Sequence, residues 1–321
     1  MRKIIPATIL ILTAAFLSVA FPLATYTLTL ASFGLAHVLT ELRYVNYRFN
    51  QRLKSDLQRK IVILLLIIVN LRISELLGIL NSSISVSLEL VCVIGLVMLV
   101  IPILTVKNWK LGILGILICI ILSAGVFWIP TLMMLILAVL HNLTPIGFIA
   151  ERLRGLQRKF ALFICLIVFV LIPSVIISGY PYNYLSSLDL VAPSANILQA
   201  GNLQLHLSAF VPRELHKSFI AIHAFSAAVF LQCMHYAVIL GVLPNWERNK
   251  HSNLLVFNRQ NIFEKIVIFL STLIFIYFAQ SFTDARKLYS IAAAIHAWVE
   301  FPILLLSFAI PAEENHDLVG N

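Results

Sequence analysis

Apolar runs of about 17 to 25 residues recur from one end of this 321-residue chain to the other, each long enough to cross a hydrocarbon core about 30 Å thick. With 60% hydrophobic and 12% charged residues and a mean hydropathy of +0.97, the chain cannot cover a soluble core with polar surface. The runs are continuously apolar rather than alternating, which excludes a membrane β-barrel. The composition therefore predicts an all-α, polytopic transmembrane helical bundle forming a single integral membrane domain over residues 1–321.

Ten spans are expected, at about 4–20, 22–42, 61–80, 88–106, 111–128, 131–150, 160–179, 215–243, 263–281 and 287–310. Phe21-Pro22 separates the first two, and Pro130 and Pro181 mark turns near span ends. Met1-Arg2-Lys3 and the apolar run to Ala20 resemble a secretion signal, but a second apolar run follows at once, so the segment is read as a retained span. Residues 180–214 form the one loop large enough for a lid, and no repeat of fixed period is visible.

Charge placement orients the bundle. The N-terminus and the loops at 43–60, 107–110, 151–159 and 244–265 hold most of the 23 Lys and Arg, and ten spans put all of them on one face. The positive-inside rule assigns that face, both termini and the tail 311–321 to the cytoplasm, and makes 180–214 extracytoplasmic. The net charge of +9 is thus read as orientation and contact with anionic lipid, not as nucleic-acid binding. No phosphate-binding loop or dinucleotide turn is present. Cys92, Cys119, Cys165 and Cys233 all fall in apolar runs without a CxxC pair and are read as packed, reduced thiols.

The chemistry-bearing residues are five histidines inside apolar runs, His37, His141, His223, His235 and His296. Ionisable side chains in hydrocarbon face a bundle interior, a cavity or an ion. Counted from the cytoplasmic ends at about 1.5 Å per residue, His141, His235 and Glu300 fall near the midplane, His37 is shallower and His223 lies toward the outer end. Asn70, Arg72 and Glu75 reach the same middle layer from the third span. His37/Glu41 and His296/Glu300 are each four apart and share a helix face, so either pair could supply a ligand and the carboxylate that orients it. Glu41 borders the basic loop and is also readable as a solvated partner of Arg43. His223 and His235 are about 18 Å apart along one helix and cannot bind the same ion; depth favours His235. Arg72 and Glu75 are expected either to neutralise one another or to leave Glu75 balancing the site's charge. His206, His216, His251 and His316 are read as loop residues.

The segment Gly34-Leu35-Ala36-His37-Val38-Leu39-Thr40-Glu41 resembles the opening motif of the Brp/Blh family of membrane-bound β-carotene 15,15′-dioxygenases, in which an acidic residue follows the first histidine by four. Phe230-Leu231-Gln232-Cys233-Met234-His235 resembles a later motif, and His141 matches an intervening single histidine. Ala36, Val38, Leu42 and Ile239 depart from those motifs, so a fourth ligand would come from His296, Glu300 or His223. The resemblance implies Fe(II) held by histidines from several helices, acting with O₂ on a carotenoid or other apolar lipid. His37, His141, His235 and His296 are then the expected metal ligands, and Glu300 and Glu75 the expected catalytic carboxylates. Two other readings of the same residues are a transporter or channel with an intramembrane His/Glu/Arg relay, and a bis-histidine haem electron carrier.

Overall fold

The computed structural model describes residues 4–49, 53–247 and 260–309. The expected tail 311–321 and the loop histidines His251 and His316 lie outside the described residues. Among the described residues the chain is helical throughout, in the order α1 (Ile4–Ala20), α2 (Pro22–Phe49), α3 (Ser55–Leu76), α4 (Ser82–Lys107), α5 (Trp109–Trp128), α6 (Pro130–His141), α7 (Thr144–Arg152), α8 (Gly155–Leu166), α9 (Ile172–Ile177), α10 (Tyr180–Ser186), α11 (Leu203–Leu207), α12 (Ile220–Gly241), α13 (Leu243–Glu247), α14 (Gln260–Gln280) and α15 (Phe282–Ala309). A π-helical turn over Ile167–Leu171 joins α8 to α9.

Seven spans are long and apolar enough to cross a bilayer unaided, and α6 with α7, bent by 41°, makes an eighth if counted as one. This is a multi-pass helical membrane protein. Two of the ten apolar runs fall short of that standard. The apolar part of α1, Ile5–Ala20, is too short. In α3, Asp56, Arg59 and Lys60 stand near one end and Arg72 and Glu75 near the other, so no 18-residue stretch is free of several charges.

Side chains on the outside of the bundle are those lipid solvates. On α5, Ile113, Ile116, Leu117, Ile120 and Ile121 are exposed. Because hydrocarbon solvates such residues as well as a protein core does, helix association depends on close packing and small residues. Gly112 of α5 meets α4 where a Cβ would stand 2.9 Å from the Thr105 Cα, so only glycine permits this approach.

Inside, α2, α12 and α15 form the centre. α15 packs on α2, α3 and α4, while α12 packs on α1, α2 and α9. The helix α2 runs to Phe49, seven residues beyond the expected end at 42. Its polar last turns are held by protein: Arg43 stacks over the Phe263 ring at 4.4 Å, and Arg48 meets Glu151 at 2.9 Å. This extension places His37 well inside the helix instead of near its end. The eighth expected span begins at Ile220 rather than 215, because Arg213–Leu215 forms a single 3-10 turn.

Residues 180–214 are more structured than a plain loop, with α10 and α11 inside them. Gly179, at φ +77°, opens the turn into α10, and a Cβ there would overlap the His223 ring. His223 thus packs against this turn and Tyr182, with ring centroids 5.2 Å apart. His206, read from sequence as an unremarkable loop residue, is fully buried. Its Nε2–H donates to the Ala200 carbonyl at 2.7 Å, and its Nδ1 accepts from Arg286 Nη1 at 3.1 Å, which requires the neutral ring. Tyr26 and Phe282 pack on the same ring.

Burial, together with the Arg286 charge, holds the His206 imidazole below its ordinary value of 6.5. Below that value the unfolded segment binds more protons than the folded one, so the hold on the loop weakens as pH falls. Hydrogen exchange across 196–210, corrected for intrinsic rates, is expected to accelerate between pH 7 and pH 5 by at most about tenfold per unit. His206→Ala is expected to exchange fast at both pH values.

Candidate metal centre

Four helices deliver the buried ionisable groups to one point. α2 brings His37 and Glu41, α12 brings His235, α15 brings His296 and Glu300, and His141 ends α6. One ligand atom from each of His37, Glu41, His141, His235 and His296 lies within 4.8 Å of all the others, and all five residues are buried.

The position of His141 follows from local sequence. Pro145 has no N–H to give the His141 carbonyl, so the ladder of hydrogen bonds breaks there. Thr144 Oγ1 donates to that carbonyl instead, at 2.8 Å, and Asn142 Nδ2 donates to Ala138 O at 3.1 Å. The chain bends at this break, and the last residue of α6 turns its imidazole inward.

The His296 Nε2 is 3.1 Å from the His37 Nε2 and 3.0 Å from the His141 Nε2. One proton on His296 can serve only one of these neighbours. Hydrogen bonding alone therefore leaves a nitrogen lone pair of the trio without a partner. Glu41 Oε2 faces His235 Nε2 at 3.5 Å and His296 Nε2 at 3.9 Å. Both Glu41 oxygens, both His235 nitrogens and both Glu300 oxygens are buried without a hydrogen bond. Each such atom costs about 1–3 kcal/mol or more when nothing satisfies it.

The group could hold a metal ion. Two ligands at right angles on bonds of about 2.1 Å stand about 3.0 Å apart, close to the 3.1 and 3.0 Å that separate the His296 Nε2 from those of His37 and His141. Two of the four outer nitrogens face an oxygen, while the Nδ1 atoms of His235 and His296 have no hydrogen-bond partner. His37 Nδ1 faces the Phe33 carbonyl at 3.4 Å, and His141 Nδ1 faces Glu300 Oε2 at 3.0 Å. A proton held at Nδ1 leaves the Nε2 lone pair directed at the centre, as in most metal-binding histidines. Tyr236 stacks on the His37 ring, with centroids 4.1 Å apart and planes 30° apart, and fixes its tilt.

The sequence-predicted set divides cleanly. His37, His141, His235 and His296 meet, while Glu300 stands behind His141. Glu41 is not a solvated partner of the basic loop; it is fully buried and belongs to the donor group. Glu75 takes no place in that group, and Arg72 does not pair with it. Arg72 Nε lies 2.6 Å from Glu89 Oε2, and Arg72 Nη2 donates to Glu89 Oε1 at 2.9 Å. The Asn70 side chain donates to its own helix, at Leu66 O. Glu89 was not singled out in sequence because it falls at the expected start of its span. The signal was there: it is the one acidic residue in α4. His223 is packed against Gly179, away from the group.

Comparison with protein-family models, with curated proteins and with solved structures finds no match.

Thr144→Val is expected to leave the His141 carbonyl unpaired and to lower stability by about 1 kcal/mol. Equilibrium unfolding in mixed detergent measures the difference. Glu41→Gln, which keeps shape and removes the charge, is expected to weaken binding of a divalent ion at least tenfold in a competition titration.

Proposed function

We propose that this protein is a membrane-embedded, iron-dependent oxidative enzyme, dioxygenase-like, acting on a carotenoid or another apolar lipid. The observation that carries the reading is the approach of the His37 and His141 Nε2 atoms to the His296 Nε2, at 3.1 and 3.0 Å, beside a buried carboxylate.

The donor set supports iron over the alternatives. Four imidazoles and a carboxylate exceed the four ligands of a tetrahedral zinc site and suit an ion of higher coordination number. Two axial imidazoles on a haem stand on opposite sides of the ring, about 4 Å apart, further than the His296 Nε2 stands from that of His37 or His141. The Glu41 carboxylate, buried among the imidazoles, supplies a negative charge that offsets part of the ion's own in hydrocarbon. When bound, iron supplies the binding and activation of dioxygen that oxidation of an unactivated hydrocarbon requires.

The chain's own residues do the remainder. His37, His141, His235, His296 and Glu41 would hold the ion. Glu300 stands 3.0 Å from the His141 Nδ1, and Tyr236 holds the plane of His37. The surrounding helices exclude water and offer an apolar substrate the same solvent that it leaves in the bilayer. The likeness to the Brp/Blh motifs at His37, Glu41 and His235 points to the same class of substrate. In this reading the ten apolar runs all cross or enter the membrane, with both termini and the basic loops cytoplasmic.

The test is metal analysis with a visible spectrum on detergent-purified protein, beside the His141→Ala/His235→Ala double variant. The expected result is about one iron per chain, lost in the variant, with no haem band. A haem band, or folded protein never exposed to chelator that contains no metal, would overturn the reading. Metal-free protein showing pH-dependent ion flux would put a relay in its place.

A further inference from the structure

Outside the centre lies a second set of buried polar groups, on α3, α4 and α15. Glu89 is completely buried. Its Oε1 accepts from Trp298 Nε1 at 2.6 Å, and both of its oxygens face the Arg72 guanidinium. A charged pair in a helix bundle is not worth more than well-packed apolar side chains of the same volume, so stability alone does not account for it.

Its relation to α15 does. Trp298 lies between His296 and Glu300. At 100° per residue, it stands about 180° around the helix from the midpoint of those two. The indole is buried, on the side of α15 away from His296 and Glu300, in a core cluster to which Ile68 of α3 and Leu90 and Val93 of α4 also belong. The helix is also weakened at this residue. Pro302 stands inside α15 and has no N–H to give the carbonyl four residues earlier, which is that of Trp298. The residue deprived of its ladder hydrogen bond is the one whose side chain is held by Glu89.

We infer that the Glu89–Trp298 hydrogen bond, with Arg72 fixing the carboxylate, is a clamp that sets the rotation of α15 and so aims His296 and Glu300 at the metal centre. The inference rests on the metal reading and adds to it a positioning residue on the far side of the helix. The tolerance explains the need. A ligand nitrogen lies roughly 6 Å from the helix axis, so a rotation of about 10° carries it by about 1 Å. Metal–ligand distances allow only about 0.2 Å. Apolar packing around Pro302 does not define rotation so closely, whereas a short, charge-assisted hydrogen bond has one geometry.

Trp298→Phe removes the N–H and keeps an aromatic ring, with Arg72 still neutralising Glu89. Leu305→Ala serves as the comparison: it takes packing from the same face of α15 and leaves the bond intact. Two measurements are made on full-length protein in detergent. Cobalt(II) affinity and ligand-field spectrum report the centre, and hydrogen exchange over 292–301, made without metal, reports the clamp. Trp298→Phe is expected to accelerate exchange there, to weaken cobalt binding by about 10–100-fold and to shift the visible bands, while Leu305→Ala leaves the bands in place. Wild-type exchange in Trp298→Phe, or an equal band shift in Leu305→Ala, overturns the clamp. Wild-type protein that binds no cobalt overturns the metal reading, and with it the purpose given to the clamp, even if exchange accelerates.

Discussion

An unpaired polar atom has nowhere to turn in hydrocarbon, and the interior of this protein is organised by that constraint. Hydrocarbon offers no hydrogen bonds, so a buried imidazole, carboxylate or guanidinium depends on what the bundle itself supplies. The Arg48–Glu151 and Arg72–Glu89 pairs meet the demand directly. The groups around His296 do not: donors of one kind crowd together with too few protons between them. The same physics that closes the other pairs leaves this cluster incomplete by itself, in an arrangement that could hold a metal ion.

The two polar layers act on the same helix from opposite sides. α15 carries His296 and Glu300 on one face and Trp298 on the other, and it is broken internally by Pro302. A regular helix would transmit rotation along its length, but one with an interrupted ladder takes its orientation from what it touches. α6 obeys a similar rule at His141, where Pro145 interrupts the chain and Thr144 restores one bond. In both helices a proline beside a ligand frees the backbone, and a side-chain hydrogen bond then decides where the ligand points.

Much of this was legible in the sequence. Helix rise and charge bias placed His141, His235 and Glu300 at a common depth, and the 18 Å separation of His223 from His235 correctly kept them apart. His37 was read as shallow because Arg43 and Arg48 looked like loop residues; the ring of Phe263 and the carboxylate of Glu151, which let α2 continue, are remote in sequence. Glu41 was misread for the same reason. Arg72 was matched with Glu75, its neighbour at i+3, because local spacing is visible in a sequence and the approach of α4 is not. The break at His141 was open to inference from Pro145, whereas the partner of Trp298 depended on tertiary packing alone.

The donors to the centre are scattered from residue 37 to residue 296, so its completion is tied to the order in which the chain enters the membrane. His37, Glu41 and His141 arrive early, on helices that must wait in the bilayer with their polar groups unmatched. His235 narrows the gap, and His296 closes it only when the final helix docks. An ion held there would therefore tie α2, near the start of the sequence, to α15, some 250 residues on, and without α15 the group would keep four of its five donor residues.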